Sequence, residues 1–291
     1  MKLSIECLPC LLNQAVRLAK AHLEIEEEQR SLVKRIMLEL AASEEQASAP
    51  YMARRIQRVL KDVLQNSDPY REEKYFYNSE MLKLEGEFSE LIKLASEPLE
   101  TALKLAAAGN IIDFGPGHDL SREKVLKILY ETLEKSFQAE TFASLKSDLK
   151  TAQKILYLGD NAGEIVFDKM FIRTIKEQYP YLEVDFATRG EAVLNDITEE
   201  DAYFVGMDAY AQIINNGTDI PGTDFEHCSK RFQTIFNKAD VIIAKGQGNF
   251  ESLYGIGRDN LYYIFLCKCN LFMERCGAKQ NDIMLMREKP A

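Results

Sequence analysis

The stretch ILYLGDNAGEIVFD, residues 155–168, predicts a buried strand, a polar loop and a helix in direct succession. An apolar run ends at Gly159, the polar residues Asp160 and Asn161 follow, and helical spacing resumes near Glu164. A strand that leads through a short loop into a helix is the repeating unit of parallel α/β sheets. This stretch therefore sets the fold class that the rest of the chain has to match.

The sequence after residue 150 repeats this alternation. Short β-rich runs are separated by helical or glycine-bearing stretches, and the runs cover 154–158, 182–187, 211–215, 240–244 and 261–267. Such a pattern is typical of a mostly parallel sheet with helices on both faces. We therefore predict a three-layer α/β domain over residues 151–291.

Residues 1–150 show helical spacing instead. Apolar residues recur every three or four positions near 11–23, 32–40 and 52–63, and further helices are expected within 79–108 and 121–138. Between the last two, AGNIIDFGPGHDL has the Gly and Pro of a structured loop. We therefore predict a helical bundle domain over residues 1–150, in front of the α/β domain.

Composition excludes several classes of protein. The chain has 291 residues, of which 46% are hydrophobic and 28% charged, as in ordinary globular proteins. Its formal net charge of −10 would repel a phosphate backbone, so we expect no nucleic-acid partner. The sequence has no apolar stretch that would span a membrane, and MKLSIECLPC lacks the apolar core of a signal peptide. We therefore expect no membrane partner and a cytoplasmic location.

Polar residues follow two of the predicted strands. Asp160 and Asn161 follow the first, and Asn195 and Asp196 lie in RGEAVLNDIT after the second. Ligands of open α/β sheets bind at the carboxyl ends of the strands, and carboxylate and amide oxygens suit a hard divalent cation. Alternatively, Asp160 or Asn161 caps the following helix, since both residue types are favoured there. The spacing alone leaves both interpretations open.

Two later loops have features that bind anions. INNGTDIPGT, residues 214–223, offers backbone amides and a hydroxyl at Asn216, Gly217 and Thr218. AKGQGNFESL, residues 244–253, places Lys245 at the end of a strand and Gly246 before a helix. Glycines let the backbone approach a ligand closely, and a helix N-terminus with a lysine favours phosphate. Together the loops predict phosphoryl chemistry, although glycine-rich turns also serve packing alone.

These motifs in combination resemble the damage-control phosphatase family, also called the domain of unknown function 89 family. GDNAGE at 159–164, ND at 195–196, AAAGNIIDFG at 106–115 and KGQGNFE at 245–251 match its motifs. CLPC at 7–10 and KC at 268–269 match its stand-alone subfamily. The resemblance implies a helical bundle followed by an α/β domain. It also implies a metal-dependent phosphatase that uses Mn²⁺, Co²⁺, Ni²⁺ or Mg²⁺.

Carried over motif by motif, the resemblance implies that Asp160, Asn161 and Asp196 are the metal ligands. A cation held by two carboxylates and one amide keeps positions open for water and for a phosphate oxygen. Lys245 is expected to neutralise the charge that develops on the phosphoryl oxygens. Glu164 either orients or deprotonates the water, or is a first-turn carboxylate favoured by the helix dipole.

Asn110 and Asp113 belong to the GNIIDFG part of a family motif. We expect them to face the α/β crevice and to shape the substrate pocket, with ordinary loop hydrogen bonding as the alternative. The expected substrate is a small phosphorylated metabolite, which includes sugar phosphates, damaged nucleotides and phosphorylated cofactor intermediates.

Cysteine motifs lie at both ends of the chain. Cys7 and Cys10 form CLPC, and Cys10 lies in the first turn of a helix, where the dipole lowers a thiol pKa. Cys267 and Cys269 lie two apart in a β-rich run, so their sulfurs should face one side and Lys268 the other. We predict that Cys7, Cys10 and Cys269 lie close enough to share a zinc ion or exchange a disulfide, with Cys267 in the core.

Three other classes of protein fit parts of the pattern. A methyltransferase that uses S-adenosylmethionine also has a strand, a Gly-bearing loop and a helix. Against it, Asp160 and Asn161 stand where close approach of the cofactor favours glycine, and DFATRG has no acidic residue for a ribose. A haloacid-dehalogenase-type phosphatase needs a DxDx[TV] motif, which GDNAGE is not. A non-enzymatic scaffold with zinc bound to its cysteines is the remaining alternative.

Overall fold

The computed structural model describes residues 1–44, 46–110 and 122–289. In this part of the chain six strands form one sheet: β1 (Lys154–Leu158), β2 (Glu183–Thr188), β3 (Gln212–Asn215), β4 (Val241–Lys245), β5 (Leu261–Leu266) and β6 (Ile283–Arg287). Their order is β3-β2-β1-β4-β5-β6, and β6 pairs antiparallel with β5 while the other neighbours are parallel. The predicted α/β fold with a mostly parallel sheet is confirmed.

Helices fill the N-terminal half and flank the sheet. Those before the first strand are α1 (Cys7–His22), α2 (Glu26–Ala41), α3 (Ala49–Leu64), α4 (Arg71–Leu82), α5 (Glu85–Leu94), α6 (Pro98–Gly109), α7 (Arg122–Leu133) and α8 (Ala139–Thr151). Those after it are α9 (Glu164–Gln178), α10 (Glu199–Phe204), α11 (Lys230–Lys238), α12 (Gly246–Leu253) and α13 (Asn270–Cys276). None of the described helices is long and apolar enough to cross a membrane. The expected cytoplasmic location stays a prediction.

Alternate residues of each strand pack on opposite faces of the sheet. One face, with Tyr157 and Ile243, shares a hydrophobic core with residues of α4 to α9. The other face, with Leu158 and Ala244, packs against α11, α12 and α13. This arrangement of helix, sheet and helix explains why β1 and β4 are almost continuously apolar.

The first three helices have a smaller core of their own, and they lie against loops at the carboxyl edge of the sheet. Leu194, from the loop after β2, packs on that core. Arg58 on α3 donates to both carboxylate oxygens of Asp219, at 2.7 and 3.1 Å, in the loop after β3. Residues of α6, which precedes residue 150, share one hydrophobic core with residues of the sheet, which follows it. The domain boundary expected at residue 150 stays a prediction.

Two details of the chain's last third differ from the prediction. The antiparallel strand β6 was not expected from the sequence. β5 ends at Leu266, and beyond it the N–H of Lys268 donates to Oε1 of Gln247 at 2.9 Å, and Cys269 is the N-cap residue of α13. The expectation that Cys267 and Cys269 share one side of a regular strand, with Lys268 on the other, is therefore wrong.

Candidate active site

Backbone hydrogen bonds join the loop after β1 to the loop after β2. The amide of Ile197 donates to the carbonyl oxygen of Asp160 at 3.0 Å, and Asn161 and Asp196 form an isolated antiparallel bridge. Asp160 and Asp196 are both buried, and Asn161 is partly buried. The three expected ligands thus lie side by side at the carboxyl edge of the sheet.

The loop that carries them is held by its backbone and by a neighbouring helix. The N-cap residue of α9 is Gly163, with φ of 72°, so neither Asp160 nor Asn161 stands in the capping position. The N–H of Gly163 donates to the side-chain oxygen of Asn78 on α4 at 2.6 Å. Asn78 is fully buried, and nothing in its helical sequence context identified it as a residue that positions the loop.

Two side-chain amides connect Asp160 to Glu164. Nδ2 of Asn110 lies 3.0 Å from Oδ2 of Asp160 and 3.0 Å from Oε2 of Glu164. Nδ2 of Asn161 donates to the same two oxygens, at 2.7 and 3.3 Å. Asn110 therefore lies in the crevice between the helical layer and the sheet, whereas Asp113 is outside the described residues.

Arg189, which directly follows β2, also belongs to the site. Its Nε donates to Oδ2 of Asp196 at 2.6 Å, and its Nη2 lies 3.4 Å from Oδ1 of Asp160. The side chain is 1% exposed. Arg189 was not among the residues predicted from the sequence. A basic residue at the end of a β-rich run, the signal that pointed to Lys245, is also present in DFATRG and would have found it.

Lys245, the last residue of β4, is completely buried among acceptors. Its Nζ donates to Oε1 of Glu164 at 2.5 Å, to Oδ1 of Asp168 at 2.7 Å and to the carbonyl oxygen of Ala106 at 2.8 Å. A lysine ammonium has three donors, so all of them are used within the protein. The contact between Lys245 and phosphoryl oxygens stays a prediction, whereas its contact with Glu164 is direct.

The carboxylates of the site disfavour one another's charge. Burial raises the pKa of Asp160 well above its usual range, and the neighbouring carboxylates of Glu164 and Asp196 add to that rise. Burial also raises the pKa of Asp196, although the charge of Arg189 opposes the rise. Buried carboxylates with raised pKa values are stabilised as anions by an added positive charge. The electrostatics of the crevice therefore favour a cation.

Gly246, the first residue of α12, lies against Asp160 so closely that no side chain fits between them. It has a φ of 77°, and a Cβ at this position would lie 1.8 Å from Oδ2 of Asp160. β1 and β4 are neighbours in the sheet, with β2 on the far side of β1, so the contact lies where the strand order reverses. Open α/β sheets bind ligands at such a switch point.

The donor atoms of this crevice fit a hard divalent cation. Carboxylate and amide oxygens of Asp160, Asn161 and Asp196 are the ligand types that such cations prefer. Across residues 1–44, 46–110 and 122–289, no group of three or more His, Cys, Asp or Glu side chains is arranged to hold a metal ion. The expected set is consistent with that finding, since it has only two carboxylates and takes its third ligand from an amide.

The loop after β3 uses its polar groups mostly to hold its own shape. Oδ1 of Asn216 accepts from the amides of Gly190 and Thr218, at 3.1 and 3.0 Å, and Oγ1 of Thr218 accepts from the amide of Ile220 at 3.3 Å. Gly217 has a φ of 79°. Because Gly190 directly follows Arg189, this loop is a wall of the crevice, and binding of phosphate by residues 216–218 stays a prediction.

The cysteine motifs lie near each other in the folded chain. Burial raises the pKa of the Cys7 thiol, and the neighbouring thiols of Cys269 and Cys10 add to that rise. All six cysteines fall within the described residues, and none of them forms a disulfide. Cys267 is buried in the core, as expected. The three thiols are not arranged as a metal site, because no group of three or more His, Cys, Asp or Glu side chains in the described residues could hold a metal ion. The expected zinc ion is therefore not supported by this arrangement, and disulfide exchange between the motifs stays a prediction.

Treatment of the protein with diamide is expected to form a disulfide between Cys269 and either Cys7 or Cys10. Two thiols lose two protons and two electrons in this step, and diamide is reduced to the hydrazine. Peptide mass spectrometry identifies the linked pair, and C269S is expected to lose it while C228S, which removes a buried thiol, keeps it. The absence of any linked peptide that contains Cys269 would contradict the proximity of the two motifs.

The fold and the crevice define a class: three-layer α/β proteins with an oxygen-rich, acidic site at the switch point of the sheet. The family described as damage-control phosphatase ARMT1-like domain matches residues 3–284. The chain therefore belongs to the damage-control phosphatase family, and it is a phosphatase. This membership favours the phosphatase over the methyltransferase and the non-enzymatic scaffold.

Similar proteins are known from archaea. A damage-control phosphatase of Pyrococcus horikoshii is 33% identical over 99% of this chain and 99% of its own length. An uncharacterised protein of Methanocaldococcus jannaschii is 34% identical over 99% of this chain and 96% of its own length. The crystal structure of a DUF89 family protein from P. horikoshii, 32% identical, matches 99% of this chain and 100% of that one with a TM-score of 0.88.

Proposed function

We propose that the chain hydrolyses phosphate monoesters of small metabolites with a divalent cation held by Asp160, Asn161 and Asp196. The observation that carries the proposal is the bridge between the two loops, which holds their carboxylates and amide side by side in a buried crevice. Mn²⁺, Co²⁺, Ni²⁺ and Mg²⁺ suit these ligands, and sugar phosphates, damaged nucleotides and other phosphorylated metabolites are the proposed substrates. When bound, the cation polarises a phosphoryl oxygen and lowers the pKa of a water molecule.

We assign Glu164 to the attacking water. A carboxylate offers about four acceptor positions, and Lys245, Asn110 and Asn161 occupy those that the structure accounts for. In this proposal Oε1 also accepts a hydrogen bond or a proton from the attacking water. Because three donors fix the direction of this carboxylate, the positioning role is favoured over the helix-dipole role.

Lys245 acts in this proposal through Glu164. Its ammonium donates to Oε1 of Glu164, and its other two donors are used by Asp168 and the carbonyl oxygen of Ala106. The amide of Asn110 has the matching task on the other oxygen of Glu164. The phosphate is expected at the N-terminus of α12, next to Gly246, since helix N-termini favour anions.

The expected result for the wild-type protein is hydrolysis of p-nitrophenyl phosphate that requires one of the four divalent cations and stops reversibly with chelator. D196N is expected to lower kcat/KM at saturating cation by roughly 10²-fold or more, because a weakened cation site gives up several kcal/mol of transition-state stabilisation. A panel of metabolite phosphates, assayed by phosphate release with the preferred cation, identifies the substrate class.

E288Q is the matched control for D196N. Glu288 is also a buried carboxylate, and it accepts from the Tyr263 hydroxyl at 2.6 Å on β5. Its neutralisation is expected to leave the cation dependence and kcat/KM close to those of the wild type. Full activity of the wild type in excess chelator, or of D196N at saturating cation, would contradict the proposed function.

A further inference from the structure

Arg189 is among the largest fully buried side chains of the described residues, and its guanidinium contacts two proposed metal ligands at once. Nε donates to Oδ2 of Asp196 at 2.6 Å, and Nη2 lies 3.4 Å from Oδ1 of Asp160. Asp160 follows β1 and Asp196 follows β2, so the guanidinium links the two loops that supply the ligands. The guanidinium neutralises part of the negative charge of the two buried carboxylates.

The oxygens that Arg189 contacts are those that a cation needs. Oδ2 of Asp160 already accepts from the amides of Asn110 and Asn161 and lies against Gly246. Oδ1 is therefore the oxygen of Asp160 that is turned towards Arg189. A cation held between Asp160 and Asp196 and the guanidinium of Arg189 compete for the same carboxylates.

The backbone of Arg189 is held independently of its side chain. Its amide donates to the carbonyl oxygen of Ile197 at 3.0 Å, and its carbonyl oxygen accepts from Oγ1 of Thr188 at 3.1 Å. The next residue, Gly190, packs so tightly that a Cβ would lie 2.6 Å from the Cα of Gly217. A change of partner would therefore come from the side chain, whose rotatable bonds can redirect the guanidinium while the backbone stays in place.

We propose that Arg189 is the resident counter-ion of the metal ligands, that it gives up at least one carboxylate when a divalent cation binds, and that it then binds the phosphate group of the substrate. This inference rests on the proposed function, because it needs a cation and a phosphate ester in the same crevice. A guanidinium stays charged throughout the working pH range, and its planar donors match phosphate oxygens. Binding of the cation thereby makes a phosphate-binding group available.

Competition and a supporting role predict opposite changes in Mn²⁺ affinity when Arg189 is removed. If Arg189 has to leave a carboxylate, R189M binds Mn²⁺ more tightly than the wild type, by roughly 5- to 150-fold, the usual range of coupling between two sites. Without a cation, R189M has two buried carboxylates that lack their counter-charge, so it unfolds at a lower temperature in chelator. Saturating Mn²⁺ is expected to close most of that gap. R189K keeps one charge and is expected to lie between.

The experiment titrates Mn²⁺ alone into each full-length protein by calorimetry, and follows thermal unfolding in chelator and in saturating Mn²⁺. The matched control is K169M, because Lys169 is also a buried cation, 2.9 Å from Glu85 and 2.7 Å from the carbonyl oxygen of Val205. K169M is expected to lower the unfolding temperature equally in both conditions and to keep the wild-type affinity for Mn²⁺. Inorganic phosphate, titrated into the Mn²⁺-loaded proteins, is expected to bind R189M more weakly and R189K in part.

An affinity of R189M for Mn²⁺ equal to or below that of the wild type overturns the inference and makes Arg189 a support for Asp196. If R189M does not fold, R189K decides: a higher Mn²⁺ affinity than wild type supports competition, and no rise overturns it. Unchanged phosphate binding by Mn²⁺-loaded R189M overturns the role towards substrate. A wild-type protein that binds none of the divalent cations contradicts the proposed function itself, so the two failures are distinguishable.

Discussion

Replacement of Gly246 by alanine is expected to lower the rate of phosphate ester hydrolysis by roughly 10²-fold or more, the scale of a 1 Å misplacement in an active site. An added Cβ would lie 1.8 Å from Oδ2 of Asp160, so either the strand end or the carboxylate has to move. The φ of 77° at Gly246 adds strain, because alanine rarely adopts that region. We therefore expect weaker Mn²⁺ binding as well, measured by calorimetry beside kcat and KM.

Gly248, two residues further along α12, is the matched control for Gly246. A Cβ there would lie 3.4 Å from the carbonyl oxygen of Pro221, an ordinary contact, and its φ is not in the left-handed region. G248A is expected to keep wild-type kcat and Mn²⁺ affinity and to gain up to about 1 kcal/mol of unfolding free energy, because alanine is favoured over glycine within helices. Equal activity of G246A and G248A would show that the contact with Asp160 does not position a ligand.

The fold was predictable because its signals are local. β1, β2, β3, β4 and β5 are short apolar runs bounded by polar residues, and their alternation with helices defines a parallel sheet without any knowledge of contacts. β6 escaped because its sequence, IMLMR, has one β-branched residue and lies after a helix at the chain's end. An antiparallel edge strand has no βαβ context to identify it.

The part of the site formed by loops at the strand ends was predictable from the sequence, whereas the contacts between side chains of distant elements were not. Asp160 and Asp196 could be paired from the sequence because parallel strands place their carboxyl ends at one edge of the sheet. The partners of Lys245 could not, because one of them is the carbonyl oxygen of Ala106 on a helix 139 positions earlier in the chain. Packing between distant elements decides which acceptor a buried lysine contacts, and the spacing of residues in the sequence does not predict that packing.

The buried charges around Lys245 lead to the second large effect. Glu164 and Asp168 are fully buried, and Lys245 is the cation that contacts both. Burial raises the pKa of Asp168 to about 7, although Lys245 and the hydroxyl of Tyr157 oppose the rise. Burial opposes the charge of Lys245 too, yet the two carboxylates raise its pKa above the ordinary value. Asp168 and Lys245 therefore depend on each other for their charged states.

Replacement of Lys245 by methionine is expected to lower the unfolding free energy by about 3–5 kcal/mol, the usual result when one partner of a buried ion pair is removed. Hydrolysis should fall as well, since Glu164 loses the donor on Oε1. The loss of stability is expected to be larger at pH 8 than at pH 6. Asp168, with a pKa raised to about 7, is mostly protonated at pH 6 and then needs no counter-charge, whereas it ionises as the pH rises. Urea unfolding at both pH values measures this difference.

Two further variants separate stability from catalysis. In K245M/D168N one of the two buried charges is gone, so part of the lost unfolding free energy is expected to return while hydrolysis stays low. K169M is the matched control, because Lys169 is a buried lysine of α9 that donates to Glu85 at 2.9 Å and to the carbonyl oxygen of Val205 at 2.7 Å. It should lose stability and keep kcat. If K245M/D168N recovered full activity with its stability, Lys245 would be a structural counter-ion alone, and the orientation of Glu164 would not depend on it.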